Sequence, residues 1–220
     1  MRYITPRMSA ADRVRSLLAR PGLPAGERTL IATKIAATTG RWEDLAACIE
    51  AGRDSGLDRT ELEEALLQTL LFAGFPRVVS AFEVLQTGWP PDDPPAGGGL
   101  PADLQLEAGH RLFDQIYDDK AAAVREMLAS YHQELHDYVF DAAYGRILSR
   151  PALSGRLREL LAVAALHAMQ GQLPQLVAHA RGALRLGATE REVREAMLTA
   201  DPDEAAADAV IARATRSHPQ

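Results

Sequence analysis

Apolar positions recur along this chain at helical spacing. In the segment 28–38, Leu30, Ile31, Ile35 and Ala36 fall on one face of a helix. Gly40 interrupts it, 44–55 resumes, and Gly56 follows where a C-terminal glycine stops a helix. Asp58 with Glu61 reads as an N-cap and its reciprocal acid, opening a helix through Leu62, Leu66 and Leu70. Gly74-Phe75-Pro76 ends that helix, and 78–85 forms one more. The later part predicts helices over 102–118 and 121–148, with Pro151 as an interruption. Then come 157–169, a break at Gly171, 174–186, a stop at Gly187, and 190–199, where Thr189 and Glu192 repeat the cap-plus-acid arrangement.

Five prolines and four glycines crowd 86–101, QTGWPPDDPPAGGGLP, and exclude a helix there. They divide the chain into 1–86, a linker 87–101, and 102–220. The second block repeats the first. Sliding the chain by 131 positions superposes Gly40 on Gly171, Leu45 on Leu176, Gly56 on Gly187, Glu61 on Glu192 and Glu64-Ala65 on Glu195-Ala196. Nine identities fall between residues 27 and 66 in this ungapped register. Coincident breaks and register point to duplication of one helix-hairpin unit.

Composition strengthens the helical reading. Alanine supplies 39 of 220 residues and aromatics only 5%, so an all-α fold closes on small side chains. A net charge of -6 lacks the footprint of a general nucleic-acid binder. The single cysteine excludes an intramolecular disulfide and fits a reducing, cytoplasmic setting. The longest unbroken apolar run, 160–166, is far short of the ~20 residues that span a bilayer. Residues 1–7 carry no apolar stretch for export.

Three stretches resemble the carboxymuconolactone decarboxylase family, whose fold is also that of the AhpD-like alkylhydroperoxidases. They are Gly40-Arg41-Trp42-Glu43-Asp44-Leu45 with Gly56-Leu57 and Glu61; Ala73-Gly74-Phe75-Pro76; and Tyr144-Gly145-Arg146-Ile147-Leu148 through Pro151-Ala152-Leu153. The last continues as Arg158-Glu159-Leu160, Gln175-Leu176, His179, Gly182-Ala183-Leu184 and Gly187-Ala188-Thr189. The chain is similar to the two-repeat members. The resemblance implies an all-α, duplicated AhpD-like fold and a ring-shaped homo-oligomer, a trimer of two-repeat chains or a hexamer.

Three departures stand out. The positions of the peroxidase branch's Cys-x-x-Cys are Gln172 and Gln175 in the second repeat, Arg41 and Asp44 in the first. Without two thiols that can bridge, disulfide-based peroxide reduction is disfavoured. Cys48 stands where the second repeat has His179, which makes the second repeat the better candidate for chemistry. Finally, Asp201-Pro202-Asp203-Glu204 replaces any copy of Gly74-Phe75-Pro76, and the last helix is expected to be oriented differently.

The resemblance implies a decarboxylase acting on a small anionic lactone or cyclic acid. That reaction needs no metal or organic cofactor in principle. It needs a cation for the anion, stabilisation of the developing oxyanion, and a proton donor to carbon. His179 is the leading donor, with His167 second; if their helices fold back about Gly171, the two share one end of a hairpin. Glu159 falls at about the family's relay glutamate. Arg150, Arg156 and Arg158 are candidates for the substrate carboxylate. Against each stands a purely structural use: a core histidine, a first-turn acid, solvated arginines. Cys48 reads as a small buried hydrophobe. His132 and His136, four apart, form a possible metal pair without an evident third ligand, so no metal is assigned. The acids at Asp92-Asp93 and 201–204 read as solvated loops. A non-catalytic scaffold that keeps the fold is the alternative to the lyase.

Overall fold

The computed structural model describes residues 8–92 and 98–216, which form helices and connecting turns with no strand among them. Residues 1–7, including the stretch read for export, and Asp93 of the acid pair lie outside the described residues. The helices are α1 (Ala10–Leu18), α2 (Ala25–Thr39), α3 (Trp42–Asp54), α4 (Arg59–Leu67), α5 (Leu70–Gly88), α6 (Ala102–Tyr117), α7 (Ala121–Tyr131), α8 (Gln133–Tyr138), α9 (Gly155–Met169), α10 (Leu173–Arg185), α11 (Glu190–Ala200) and α12 (Glu204–Thr215). The fold is all-α, as the periodicity predicts. No single described helix is long and apolar enough to cross a membrane; α4 and α5 reach that length only together, across a bend of 119°.

The duplication is visible in the boundaries themselves. From α3 onward the second copy starts 131 positions after the first: α10 follows α3 and α11 follows α4 in that register. Both α4 and α11 begin with complete capping boxes, Asp58 with Glu61 and Thr189 with Glu192. The offset between α2 and α9 is 130 instead. The turn Gln170-Gly171-Gln172 is one residue longer than Gly40-Arg41. Gly40 and Gly171 both take left-handed backbone, φ 71° and 74°, which glycine reaches without a Cβ clash. The true register of the first helices therefore pairs Arg20 with Arg150, Pro21 with Pro151, Leu23 with Leu153 and Arg28 with Arg158. The ungapped alignment misses all four pairs.

α2 and α9 pack against each other at the centre, and all of 28–38 and 157–166 is buried. The single apolar face read from 28–38 is thus an under-reading. The helix is buried on every side, and its charged residues go in with it. Both helices join one core with α4, α10, α11 and α12. The helix that α5 begins is broken at Gly74 (φ 73°, ψ 177°) before it continues to Gly88, two residues into the expected linker. α12 packs on α10 and α11 as α5 packs on α3 and α4. The altered sequence at 201–204 therefore does not send the last helix to new partners.

The expected helix over 121–148 is divided. α7 ends before His132, which is extended (φ -168°), and α8 passes into a π-helical segment, 139–148. That segment lies against α6, where Gly109 and Gly145 let the two backbones cross. A Cβ at Gly109 would sit 2.7 Å from the Gly145 nitrogen.

Candidate active site

Ser154 caps α9 by accepting from the Leu157 N–H, so Arg158 and Glu159 fall in the first buried turn of the central helix. The Glu159 side chain is 1% exposed. α10 passes beside it, and His179 Nδ1 lies 2.9 Å from Glu159 Oε2. With the carboxylate as acceptor, Nδ1–H donates, which leaves Nε2 for a substrate. The close passage depends on Gly182: a Cβ there would meet Glu159 Oε2 at 2.5 Å and Ile116 Cγ2 at 2.8 Å. Burial works against a charged His179, as does Lys34, yet the Glu159 carboxylate outweighs both and raises its pKa above the ordinary imidazole value.

Four further residues complete this cluster, and none was singled out from the sequence as a site residue. Phe72, from the start of α5, meets the His179 ring edge-on at 6.1 Å between centroids. Lys34 of α2 is fully buried, its Nζ 4.5 Å from the centroid of the same Phe72 ring. That Nζ has no hydrogen-bond partner. Burial, and then the Arg158 charge, pushes the Lys34 pKa well below the ordinary lysine value. Tyr144 in the π-helical segment and Tyr117 at the end of α6 hydrogen-bond to each other near Glu159. Burial raises both phenols, so they stand as neutral groups. The available sequence signal was Lys34 itself, a charge at i+4 from Leu30 and i+3 from Ile31 on an apolar stretch.

The three arginines expected to hold a substrate anion take protein partners. Arg150 Nε lies 2.6 Å from Glu64 Oε1, and Arg158 Nη2 lies 2.8 Å from Glu64 Oε2. Arg156 bridges Glu27 and Glu192. The first two belong to a clasp that occurs twice. In the other copy, Arg28 and Arg20 reach Glu195 at 3.0 and 3.3 Å. Arg28 also donates to Thr199 Oγ1 at 2.9 Å, where Arg158 meets Gln68. Each clasp ties the α2-type helix of one repeat to the α4-type helix of the other. Each of these guanidinium groups already has a carboxylate partner, shared between two arginines within each clasp, so their geometry supports cross-linking of the repeats rather than anion capture.

His167 does not share the site of His179. About 12 Å of helix separates residues 159 and 167. His167 instead lines a cavity of about 350 Å³ at the α9–α10 turn, with Leu166, Leu173, Leu176, Asp201, Asp203 and Arg213. Burial lowers its pKa, partly opposed by Asp201 and Asp203. The 201–204 acids are thus more than solvated loop: Asp203 also caps α12, and Glu204 pairs with Arg194. His132 Nδ1 accepts from the Glu134 N–H and His136 Nδ1 lies 2.9 Å from Asp137. Among the described residues no group of three or more His, Cys, Asp or Glu converges as a metal site. Cys48 packs with Val14 and Ala32. Burial first, then Asp44, pushes its thiol up to about 12, far from thiolate reactivity at neutral pH.

Comparison with known proteins gives two matches. The model of the carboxymuconolactone decarboxylase family covers residues 8–87 and 133–216, one region in each half of the chain. Peroxisomal protein 2 of Schizosaccharomyces pombe is 31% identical over 139 residues, 62% of this chain. The match spans 65% of that relative's length, less than two thirds.

Proposed function

The chain belongs to the carboxymuconolactone decarboxylase family, as a two-repeat member without the Cys-x-x-Cys motif, and from that premise we propose that it is a cofactor-free carboxy-lyase acting on a small anionic lactone or cyclic acid. The observation that carries this reading is the His179–Glu159 contact: 2.9 Å, with the acid buried and the imidazole side chain 16% exposed. Loss of carbon dioxide leaves a carbanion equivalent that must be protonated. A histidine whose pKa is raised by a buried carboxylate holds its proton more readily than a free imidazole and can deliver it from Nε2. Glu159 fixes the ring and stabilises its charged form. The neutral phenols of Tyr117 and Tyr144 stand close to Glu159 and keep its surroundings polar.

In this reading the second repeat, 102–220 with its added helices, carries the proton chemistry, and the first repeat, 1–86, is joined to it by the linker 87–101. The inert Cys48 supports setting aside thiol peroxidase activity. A ring-shaped homo-oligomer, trimer or hexamer, belongs to the same proposal. Exposed Phe75 and Val79, 66% and 55% accessible on α5, support it. Cytoplasmic residence rests on the lone thiol, while the relative's name points to peroxisomes as the other compartment to examine.

The test is carbon dioxide release from a panel of small lactone and cyclic carboxylic acids. Wild type is expected to release it from at least one, and His179→Ala to lose that activity while keeping its helical circular dichroism. An equally active His179→Ala sinks the reading.

A further inference from the structure

The chain has 22 arginines and only two lysines, Lys34 and Lys120. Arginine fills the cross-repeat clasps and most of the surface ion pairs. Lys120 is exposed and takes Asp119 at 2.9 Å. Lys34 is the opposite: fully buried, without a hydrogen-bond partner, and set over an aromatic face. A protein that uses arginine for holding anions has placed at this one point the basic side chain that can lose its proton. An arginine there could not become a nucleophile. An unpartnered amine, fully buried against an aromatic ring and beside an acid–base pair, has the surroundings of a carbonyl-capturing lysine.

We propose that Lys34 is a further catalytic residue, forming an imine with the ketone of a cyclic β-oxo acid in the Glu159–His179 site. Phe72 is its cover. The ring lies over Nζ and also contacts His179, and it sits two residues before the break at Gly74. Swinging Phe72 aside joins the amine to the partly exposed imidazole.

The chemistry closes without an oxidant or reductant. The neutral amine adds to the ketone carbon and, with one proton taken up from solvent and returned when the imine is hydrolysed, water leaves, giving a protonated imine. The bond to the β-carboxylate breaks, its electron pair enters the iminium, and carbon dioxide departs. His179 protonates the resulting enamine at carbon. Water then hydrolyses the imine, freeing the ketone and restoring Lys34. The decarboxylation steps rest on the lyase reading above and narrow its substrate class; the capture of a ketone does not.

Reductive trapping tests the capture directly. The full-length protein is incubated with 2-oxocyclopentanecarboxylate or acetoacetate and cyanoborohydride, and the peptides bearing Lys34 and Lys120 are quantified by mass. Lys34 is expected to be labelled at least about tenfold faster than Lys120, a nucleophile's advantage of modest size. Phe72→Ala is expected to speed that labelling, and Lys34→Met to remove it with circular dichroism unchanged. Equal labelling of the two lysines overturns the proposal, as does a Lys34 unlabelled in both wild type and Phe72→Ala. Carbon dioxide release without any Lys34 adduct overturns the imine and leaves the lyase standing. A Lys34 adduct without carbon dioxide release from any acid does the reverse.

Discussion

The two repeats share their helices, breaks and caps, yet they treat one pair of positions in opposite ways. In the second repeat α9 and α10 bring Glu159 to His179, with Gly182 leaving room for the contact. In the first repeat the same positions on α2 and α3 hold Thr29 and Cys48, with Ala51 in place of the glycine. Thr29 Oγ1 turns back to the Ala25 carbonyl at 2.9 Å, and Cys48 is packed with apolar neighbours. The repeat without the pair is not a spacer, however. It supplies Lys34 and Phe72 to the other repeat's site. Duplication thus keeps two copies of the scaffold, held by two copies of one ion-pair clasp, while the candidate site draws its residues from both halves.

The sharpest way to break this comparison is kinetic. His179→Ala is expected to lower turnover of a decarboxylated substrate by about 10²–10⁴-fold, the range for a lost general acid. Cys48→Ser should leave the rate within about twofold, since no proton passes through a thiol with so high a pKa. Equal losses in steady-state assays would erase the distinction between the repeats.

The clasps offer the next largest effect. Glu64→Ala strands Arg158, whose side chain is 1% exposed, and Glu195→Ala strands Arg28, which is 0% exposed. Each is expected to cost about 3–5 kcal/mol in denaturant unfolding, the usual penalty for orphaning a buried charge. Glu64 itself is the more deeply buried of the two acids, 3% against 13%, so its loss should cost more. A cost for Glu64 and none for Glu195 would show that only one clasp holds the repeats together.

Lys34→Met runs the other way. Removing a buried, unpartnered amine should raise stability by about 1–2 kcal/mol, the gain common when a functional liability is replaced by an apolar side chain. Thermal unfolding measures it, and a loss of stability would mean that the amine has a structural partner.

The smallest effect is a pH dependence. Glu159 raises the His179 pKa over the unfolded value of about 6.5. The folded state then binds the proton more tightly than the unfolded chain. The resulting stability is fully present below that unfolded value and fades as pH rises through the folded one. Unfolding curves of wild type and His179→Gln should therefore diverge on the acid side and converge once the pH has passed the raised folded value. Cys48→Ser should follow the wild-type curve throughout.

Much of the fold was written locally. The glycines at 40, 56, 171 and 187, the caps at Asp58 and Thr189, and the 3.6-residue period placed α2 to α4, α6 and α9 to α11, because these features act within one or two turns, while α1 was not read at all. The same local signals gave the repeat and, through the resemblance, Glu159 and His179 as a candidate pair. The one-residue slip between α2 and α9 stayed hidden because turn length is a property of packed helices, and with it the correspondence of Arg28 with Arg158. The uses of Arg150, Arg156 and Arg158 could not be read either. Their partners Glu64, Glu27 and Glu192 lie 36 to 129 residues away, and only docking of the repeats selects them. The tertiary structure likewise separated His167 from His179, since each turn of a shared helix moves a side chain onward by about 5.4 Å. It alone decided that α2 would be buried on every side. An apolar stripe with one lysine is an ordinary surface helix by sequence, and becomes a buried amine beside an acid and a histidine once a second copy of the unit closes over it.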